Sequence, residues 1–481
     1  MSPRVHDGAS GSSQAAEPYS PRRRTALLLT GTGTAGAYHA GVLRALDEAG
    51  VKIDVVAGRG IGALGALFAA VDGANRLWAE HGFWKVAASR HFYGWQALFG
   101  LCAGALVTAL AIVVVPLVVA AAGLIVLPID FVLSLTGVRA VSGLGPAYLD
   151  LLRTWFEPQA LPTWLPRLAL LALAAGLAVT VCAAWLRAST RRQRGPFWWR
   201  LLPAPMSSAS MISHCWTALW DLLRGAAPVK QPPPEELASR YTEVLGDNLG
   251  QPGFRELLIA VHDIDARRDL IFALVAEPRR REMIHRTTSR EAETRRAEIV
   301  DLAGVSRAHL ADAVAAACSV PILTDPHLMT FAPEAHWRGE THRLCDRPGS
   351  VWRLIAELGH LGVEQIILVS AAPEAAEPHG LAPTRLDGRG RAGEYLQSQE
   401  AAQASDLALH ASSLPARLFA IRPAHNPVGP LDFADGFDDR SERRVPLVEL
   451  MTLGYKDAYQ QFIEPVLGAS GEGLGRQTRR A

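Results

Sequence analysis

The chain is poor in the residues that build disulfide frameworks and metal sites. Its five cysteines, Cys102, Cys182, Cys215, Cys318 and Cys345, never form a C-x-x-C. That spacing excludes a zinc ribbon and leaves small buried hydrophobes in a reducing compartment. Fifteen histidines give no H-E-x-x-H and no Cys/His cluster at zinc spacing. No metal and no cofactor is therefore expected. Lysine is scarce, with Lys52, Lys85, Lys230 and Lys456 against a Lys+Arg total of 48. Neither charge sign is in excess, since 47 acids leave a formal charge of +1, so no nucleic-acid partner is expected. Residues 1–22 lack the apolar core of about 7–15 residues that a signal peptide needs. They are expected to be a disordered tail, with the chain starting in the cytosol. There is also no G-x-S-x-G anywhere in the chain, which removes the usual serine elbow of an acyl hydrolase.

What the chain has in abundance is apolar sequence, 49% of its 481 residues. Two runs stand out. Ala97 to Leu135 contains one ionisable side chain, Asp130, and Leu165 to Leu186 has only Arg167, near its end. A bilayer crossing takes about 20 apolar residues. The second run fits one helix, and the first fits one tilted helix with an interfacial tail or two short ones broken at Pro116. The aromatic and Pro-rich stretch between them, Arg153 to Arg167, reads as a short interfacial loop. Arg187, Arg191, Arg192, Arg194 and Arg200 follow the second run and place that end in the cytosol. Beyond them, "FWWRLL" and "SHCWTALWDLLRG" mix Trp with Arg and read as an amphipathic segment on the inner leaflet, the competing reading being packing against a globular domain.

The runs are flanked by alternating strand and helix patterns. "RTALLLTG" is a buried-type strand, "GAYHAGVLRALDEAG" a helix and "IDVVAG" the next strand, a βαβ unit that signals a parallel sheet. After Pro234 the strands return: "ELLIAVHDID" and "RDLIFALVAE" as a hairpin, "VEQIILVSA" and "ARLFAIRP" as further strands, and a terminal helix over 445–467. If both flanks complete one sheet, the number of crossings is even, and two is the simplest count. The expected organisation is a tail at 1–22, a first α/β part at 23–84, a membrane insertion at 85–234 with crossings near 97–135 and 165–186, a second α/β part at 235–467, and a tail at 468–481.

Two glycine turns carry the functional signal. "GTGTAG", Gly31 to Gly36, follows a strand and opens a helix, as a dinucleotide loop does. That fingerprint needs an acid at the carboxyl end of the second strand. Here the acid, Asp54, stands at the strand's start, and the carboxyl end carries G-R-G-I-G, Gly58 to Gly62. The second reading joins the turns: one offers backbone donors to an oxyanion, the other is a strand-to-helix elbow with small residues, Gly58 and Gly62, two before and two after its centre. At that centre stands Gly60.

"GTGTAGAYHAGVLRALDEAG", "GRGIGALGAL", "AVAAACSVPILTDP" and "RLCDRPGSVWRLIAELGHLGVEQIILVSA" together resemble the patatin-like phospholipase family. The likeness covers residues 24–84 and, more loosely, 235–465. The resemblance implies a three-layer α/β sheet domain, here split by a helical transmembrane hairpin, and a Ser–Asp dyad that attacks a lipid ester. Carried over, Gly31, Thr32 and Gly33, with Gly36, form the oxyanion or ligand-binding turn. Gly60 takes the place of the serine nucleophile and Asp346 that of the base. Ala35 and Arg347 also depart from the family pattern. The family's hydroxyl fits such an elbow, so Gly60→Ser is expected to fold. Arg59, beside the empty position, is a candidate for holding a phosphate or carboxylate ligand; its bland alternatives are a solvated elbow residue or a salt bridge with Asp346. Asp346 could otherwise pair with Arg343 or Arg347. His262, Asp263 and Asp265 read as a turn in preference to a metal site, and Ser319 is a remote substitute nucleophile. The expected protein is a membrane-tethered member of lipid metabolism or lipid binding without serine hydrolase activity, its globular part in the cytosol and membrane lipids its partners. An active acyl hydrolase with a non-standard nucleophile and a membrane-bound nucleotide-binding protein are the alternatives.

Overall fold

The structure is a computed structural model describing residues 19–135, 143–157, 161–189, 204–225, 227–284, 297–373, 388–434, 436–437 and 443–467. The chain divides into two compact units, one of residues 1–94 and 208–481 and one of residues 95–207.

The larger unit is a mixed α/β fold on a nine-stranded, mostly parallel sheet. Its strands in chain order are β1 (Thr25–Thr30), β2 (Val55–Arg59), β3 (Glu256–Asp263), β4 (Arg268–Leu274), β5 (Ile299–Asp301), β6 (His327–Thr330), β7 (Thr341–Cys345), β8 (Gln365–Ser370) and β9 (Arg417–Ile421). They are ordered β9-β8-β1-β2-β3-β4-β5, with β7 pairing β3 and β6. β1 runs parallel to both β2 and β8, and β2 parallel to β3. β3 and β4 form the expected antiparallel hairpin, Ile259 opposite Phe272. Strands from before and after the apolar runs thus lie side by side in one sheet.

Alternation along β1 builds the layers. Ala26 and Leu28 join a core with Leu258, Ala260 and Ile271 and with Val351, Leu354, Ile355 and Leu358. The last four recur at helical spacing on one helix, Ser350–His360, and each buried aliphatic side chain contributes roughly 1.5–3 kcal/mol. Leu29 points the other way, against the helix that follows the elbow: a Cβ at Gly62 would lie 2.1 Å from the Leu29 carbonyl oxygen, and one at Gly65 2.6 Å from Leu29 Cδ1. Helix α1 (Ala35–Glu48) and helix α2 (Gly62–Ala70) follow β1 and β2 directly.

The smaller unit consists of α3 (Ala97–Leu135), α4 (Leu144–Phe156) and α5 (Leu161–Ser189), which pack on one another. Its two ends meet, the Gln96 amide donating to the Pro205 carbonyl at 2.9 Å. Several expectations are corrected here. Of the two readings of the first apolar run, α3 follows the single helix, continuous through position 116. Of the stretch read as a loop, residues 153–156 close α4 and residues 161–167 open α5; earlier in α4 the Tyr148 hydroxyl lies 2.8 Å from the carbonyl oxygens of Val119 and Ala120. Gly145 lies against the Asp130 carboxylate, where a Cβ would come within 2.5 Å of Oδ2. Among the described residues one helical segment, Leu117–Leu135, is long and apolar enough to cross a membrane. The apolar part of α5, Pro166–Val179, is shorter.

The unit boundaries also differ from 85–234. Residues 87–93 and the helix α6 (Ala209–Leu223) belong with the α/β unit. Met211, Cys215, Trp216 and Leu219 of α6 are buried, and the His214 ring packs on Phe83 and Phe92. The apolar face taken for a membrane-surface segment is thus covered by protein. Its other half, Phe197 to Arg200, lies outside the described residues, as do the arginines from Arg191 onward in that cluster.

Candidate functional site

The glycine turn at the end of β1 is shaped by positive φ at Gly31 (+132°) and Gly33 (+60°). A neighbouring loop clasps it. The Thr34 amide donates to the Pro430 carbonyl and its hydroxyl to the Gly429 carbonyl, both at 2.9 Å. A Cβ at Gly33 would stand 1.9 Å from the Pro430 oxygen, so only glycine admits this approach. Gly36, inside α1, is pressed by the Trp84 ring.

At the end of β2 the elbow turns through Gly60, φ +55°. Gly58 is closely packed, its Cβ position 2.5 Å from the Gly62 carbonyl oxygen. The two glycine turns touch: the Ile61 amide donates to the Gly31 carbonyl at 3.0 Å. That amide follows the nucleophile position and is the donor an acyl hydrolase would aim at an oxyanion. Here it is occupied from within. The same carbonyl oxygen lies 2.2 Å from where a Cβ at Gly60 would be, and Asp346 Oδ2 lies 2.9 Å from it. Gly60 and Asp346, 286 positions apart in the chain, are therefore neighbours. A side chain at position 60, as in Gly60→Ser, must displace the Gly31 carbonyl.

Arg59 is the largest departure from a hydrolase. It is fully buried, as is Asp346 at 3% exposure. Arg59 Nη1 straddles both carboxylate oxygens of Asp346 at 3.0 and 2.9 Å, and Nη2 donates to Glu400. Burial pulls the guanidinium's pKa down, but the Asp346 and Glu400 charges outweigh it and hold Arg59 cationic. Burial pushes the Asp346 carboxyl up, with Arg59 pulling against it and Glu400 adding to the rise. Arg59 is therefore not a solvated residue, and its two terminal nitrogens serve carboxylates of this chain and not an incoming anion. Asp346 pairs with neither Arg343, which holds Asp265 at 2.6 Å, nor Arg347, which reaches Asp269 at 3.4 Å.

The remaining candidates are structural. Asp263 Oδ1 accepts the amides of Asp265 and Ala266 at 2.9 Å, closing the β3–β4 turn, while Oδ2 meets His342 at 2.6 Å. His262 Nδ1 bonds Asp269 at 2.8 Å. Ser319 donates to the Ala315 carbonyl at 2.9 Å, with no histidine or carboxylate on it. Asp54 accepts the Thr25 amide at 2.9 Å, at the opposite end of the strands from the glycine turns, where it cannot reach a ribose. Glu400 and the Gly429–Pro430 clasp escaped the sequence reading. Glu400 lies in a polar helix spanning Gly388–Leu409, and nothing in "LQSQEAAQ" marks it.

Beside the turn lies a small, open cleft lined among others by Thr32, Gln397, Glu400, Asn426 and Pro430.

No family model matches the chain. Over 52 residues the chain is 52% identical to patatin-like phospholipase domain-containing protein 6 of Mus musculus, and equally to the proteins of that name from Pongo abelii and Homo sapiens. The match takes in 11% of this chain and 4% of each relative. The chain thus contains a segment similar to patatin-like phospholipases while spanning only a small part of those relatives' length. The crystal structure of VipD from Legionella pneumophila aligns with 92% of this chain and 66% of its own, at 12% identity and a TM-score of 0.30.

Proposed function

We propose that this is a membrane-tethered, patatin-like protein of lipid metabolism or lipid binding that does not hydrolyse its ligand. The observation that carries the reading is the Arg59 side chain spanning Asp346 beside a glycine. A dyad needs a nucleophile and a base oriented beside it. Gly60 has no side chain, both Asp346 oxygens face Arg59 Nη1, and the Ile61 amide already has an acceptor. Each change alone weakens hydrolysis, and together they leave no group to attack an ester. Removing a hydrolase nucleophile leaves only about 10³–10⁴-fold over water even where the oxyanion site is intact.

The membrane part of the proposal rests on Leu117–Leu135, whose 19 helical residues extend about 28 Å, near the thickness of a hydrocarbon core. Because β1 and β2 share a sheet with β3 and β8, both ends of the insertion return to one side, and a first crossing requires a second. α5 is its candidate.

The test is labelling of the purified full chain in phosphatidylcholine nanodiscs with a fluorophosphonate probe, beside an ester-hydrolysis assay. Neither labelling nor turnover above background is expected. Robust turnover, retained after Ser319→Ala, would overturn the proposal.

A further inference from the structure

We infer that the turn from Val320 to Thr324, with Ile322 at its tip, is a wedge that enters the lipid surface where the insertion leaves the α/β unit. The inference rests on the reading that the insertion crosses a bilayer, and it assigns the face of the α/β unit that meets lipid.

The first observation is a side chain held against two costs. Ile322 has a φ of +71°. A β-branched residue is an outlier in that left-handed region, which glycine enters freely. Ile322 is also 90% exposed, so its apolar surface recovers nothing from packing. An exposed aliphatic by itself is ordinary. One that is exposed and strained at once is opposed twice, and strain of this kind clusters at contact sites and switches.

The turn that presents it is closed. The Thr324 amide and hydroxyl both donate to the Val320 carbonyl, at 2.9 and 3.2 Å. Val320 and Thr324 are buried, while Pro321 and Ile322 are exposed and Leu323 is half-buried. The turn thus lifts a small apolar tip off an anchored base. Asp325, just past the base, is exposed and sets how deep the tip can sink.

The second observation is position. The chain leaves the α/β unit after Gly94 and returns to it at Ser208. Tyr93, next to that exit, is buried, its ring stacked on Phe433 with centroids 5.7 Å apart. Its hydroxyl donates to the Cys318 carbonyl at 2.8 Å. The neighbouring Ser319 carbonyl accepts the Asp346 amide, also at 2.8 Å. The turn is therefore fixed between the exit and the carboxyl end of the sheet. Ile322 follows Cys318 by four residues, at most about 14 Å of extended chain. Where the chain enters a bilayer, an exposed tip this near the exit meets the headgroup layer. The chemistry also selects lipid over a protein partner. Two exposed side chains are far short of the roughly 1,000 Å² that a specific protein interface buries, whereas a lipid surface accepts a projecting apolar tip without a matching shape.

The experiment uses the full chain, its native cysteines replaced by alanine, in phosphatidylcholine nanodiscs. An environment-sensitive fluorophore is placed on Ile322→Cys or on Val305→Cys. Val305 is a matched reference, 80% exposed and separated from the tip by the helix His309–Ala317. The quencher is a phosphatidylcholine spin-labelled near the top of its acyl chain. Quenching is expected at position 322 and not at 305. No quenching at 322 overturns the inference, as does equal quenching at both. A blue-shifted but unquenched probe at 322 also overturns it, because protein then covers the tip. A third reporter, Pro321→Cys, tests the side chain itself. Adding Ile322→Asn should cut its quenching roughly twofold or more, since the apolar tip is lost. The same change should leave the melting temperature unchanged or higher, because asparagine tolerates the left-handed region. Unchanged quenching beside Ile322→Asn overturns the wedge. Thiol labelling at Gln159 and Gln193 reports the crossing separately: a crossing found without quenching at 322 sinks the wedge and leaves the tether standing.

Discussion

Arg59 Nη1 sits between the two carboxylate oxygens of Asp346, at 3.0 and 2.9 Å, with no solvent reaching the guanidinium. The relationship turns a position next to a nucleophile elbow into the centre of a buried ion cluster. Its energetics differ from those of a surface pair. Two carboxylates were taken out of water around one cation, and removing that cation strands both.

The first prediction follows directly. Arg59→Met should destabilise the α/β unit by about 3–5 kcal/mol, as breaking a buried pair does. Adding Asp346→Asn and Glu400→Gln in the same chain should recover most of the loss. Urea unfolding of the wild type, the Arg59→Met variant and the triple variant, followed by near-ultraviolet circular dichroism, gives the comparison. A loss below about 1 kcal/mol for Arg59→Met, the range of exposed pairs, would mean that water reaches the cluster.

The second concerns Gly60. A non-glycine residue in the left-handed region costs about 1–2 kcal/mol before any contact is counted. Here the Gly31 carbonyl oxygen stands 2.2 Å from the incoming Cβ. Gly60→Ser should therefore lower the melting temperature and gain no measurable esterase activity, since Asp346 remains held by Arg59. Full activity from this single change would mean that the rest of a hydrolase site is intact.

The contrast between these two positions says what a sequence can and cannot disclose. The β1–α1–β2–α2 unit is legible because its signals are local: buried strands, glycines at the turns, small residues where α2 meets Leu29. The spacing of Gly58, Gly60 and Gly62 even locates the elbow. The Arg59–Asp346 pair joins residues 287 positions apart, and Glu400 comes from a third element, so no spacing along the chain encodes them. α6 fails for another reason. An apolar stripe of Met211, Cys215 and Leu219 has the same period whether lipid or protein covers it, and only the tertiary structure assigns Phe83 and Phe92 as its neighbours.

The third prediction uses pH. His39, in α1, is fully buried, its Nε2 donating to the Thr30 carbonyl at 2.9 Å while Nδ1 has no partner. Burial pulls its pKa down to about 4, the Thr30 carbonyl opposing and Arg59 adding to the fall. The unfolded chain takes up this proton near pH 6.5 and the native state does not, so the unfolded state binds more protons between those values. Stability should then decline as pH falls from about 6.5 to about 4, by up to roughly 3 kcal/mol from this residue. His39→Gln, which retains a donor, should lose that part of the slope. If urea midpoints of wild type and variant run parallel across the window, His39 is protonated in the native state.

The last prediction addresses the insertion. If Leu117–Leu135 crosses a bilayer, the chain must cross again before α6, because α6 and the strands after it belong to the unit that contains β1 and β2. In that topology residues between α4 and α5 are outside and the arginines beyond α5 are inside. In a background with the native cysteines replaced by alanine, a thiol introduced at Gln159 should react with an impermeant maleimide added outside intact cells. One at Gln193 should react only after permeabilisation. The positive-inside tendency of Arg191, Arg192 and Arg194 favours the same orientation. Labelling at both positions in intact cells would mean that the insertion does not cross as a hairpin, and labelling at Gln193 alone would invert it. Protection of both before permeabilisation, with both reactive after, would leave α3 lying on the membrane or against protein, and the proposed second crossing by α5 would fall with it.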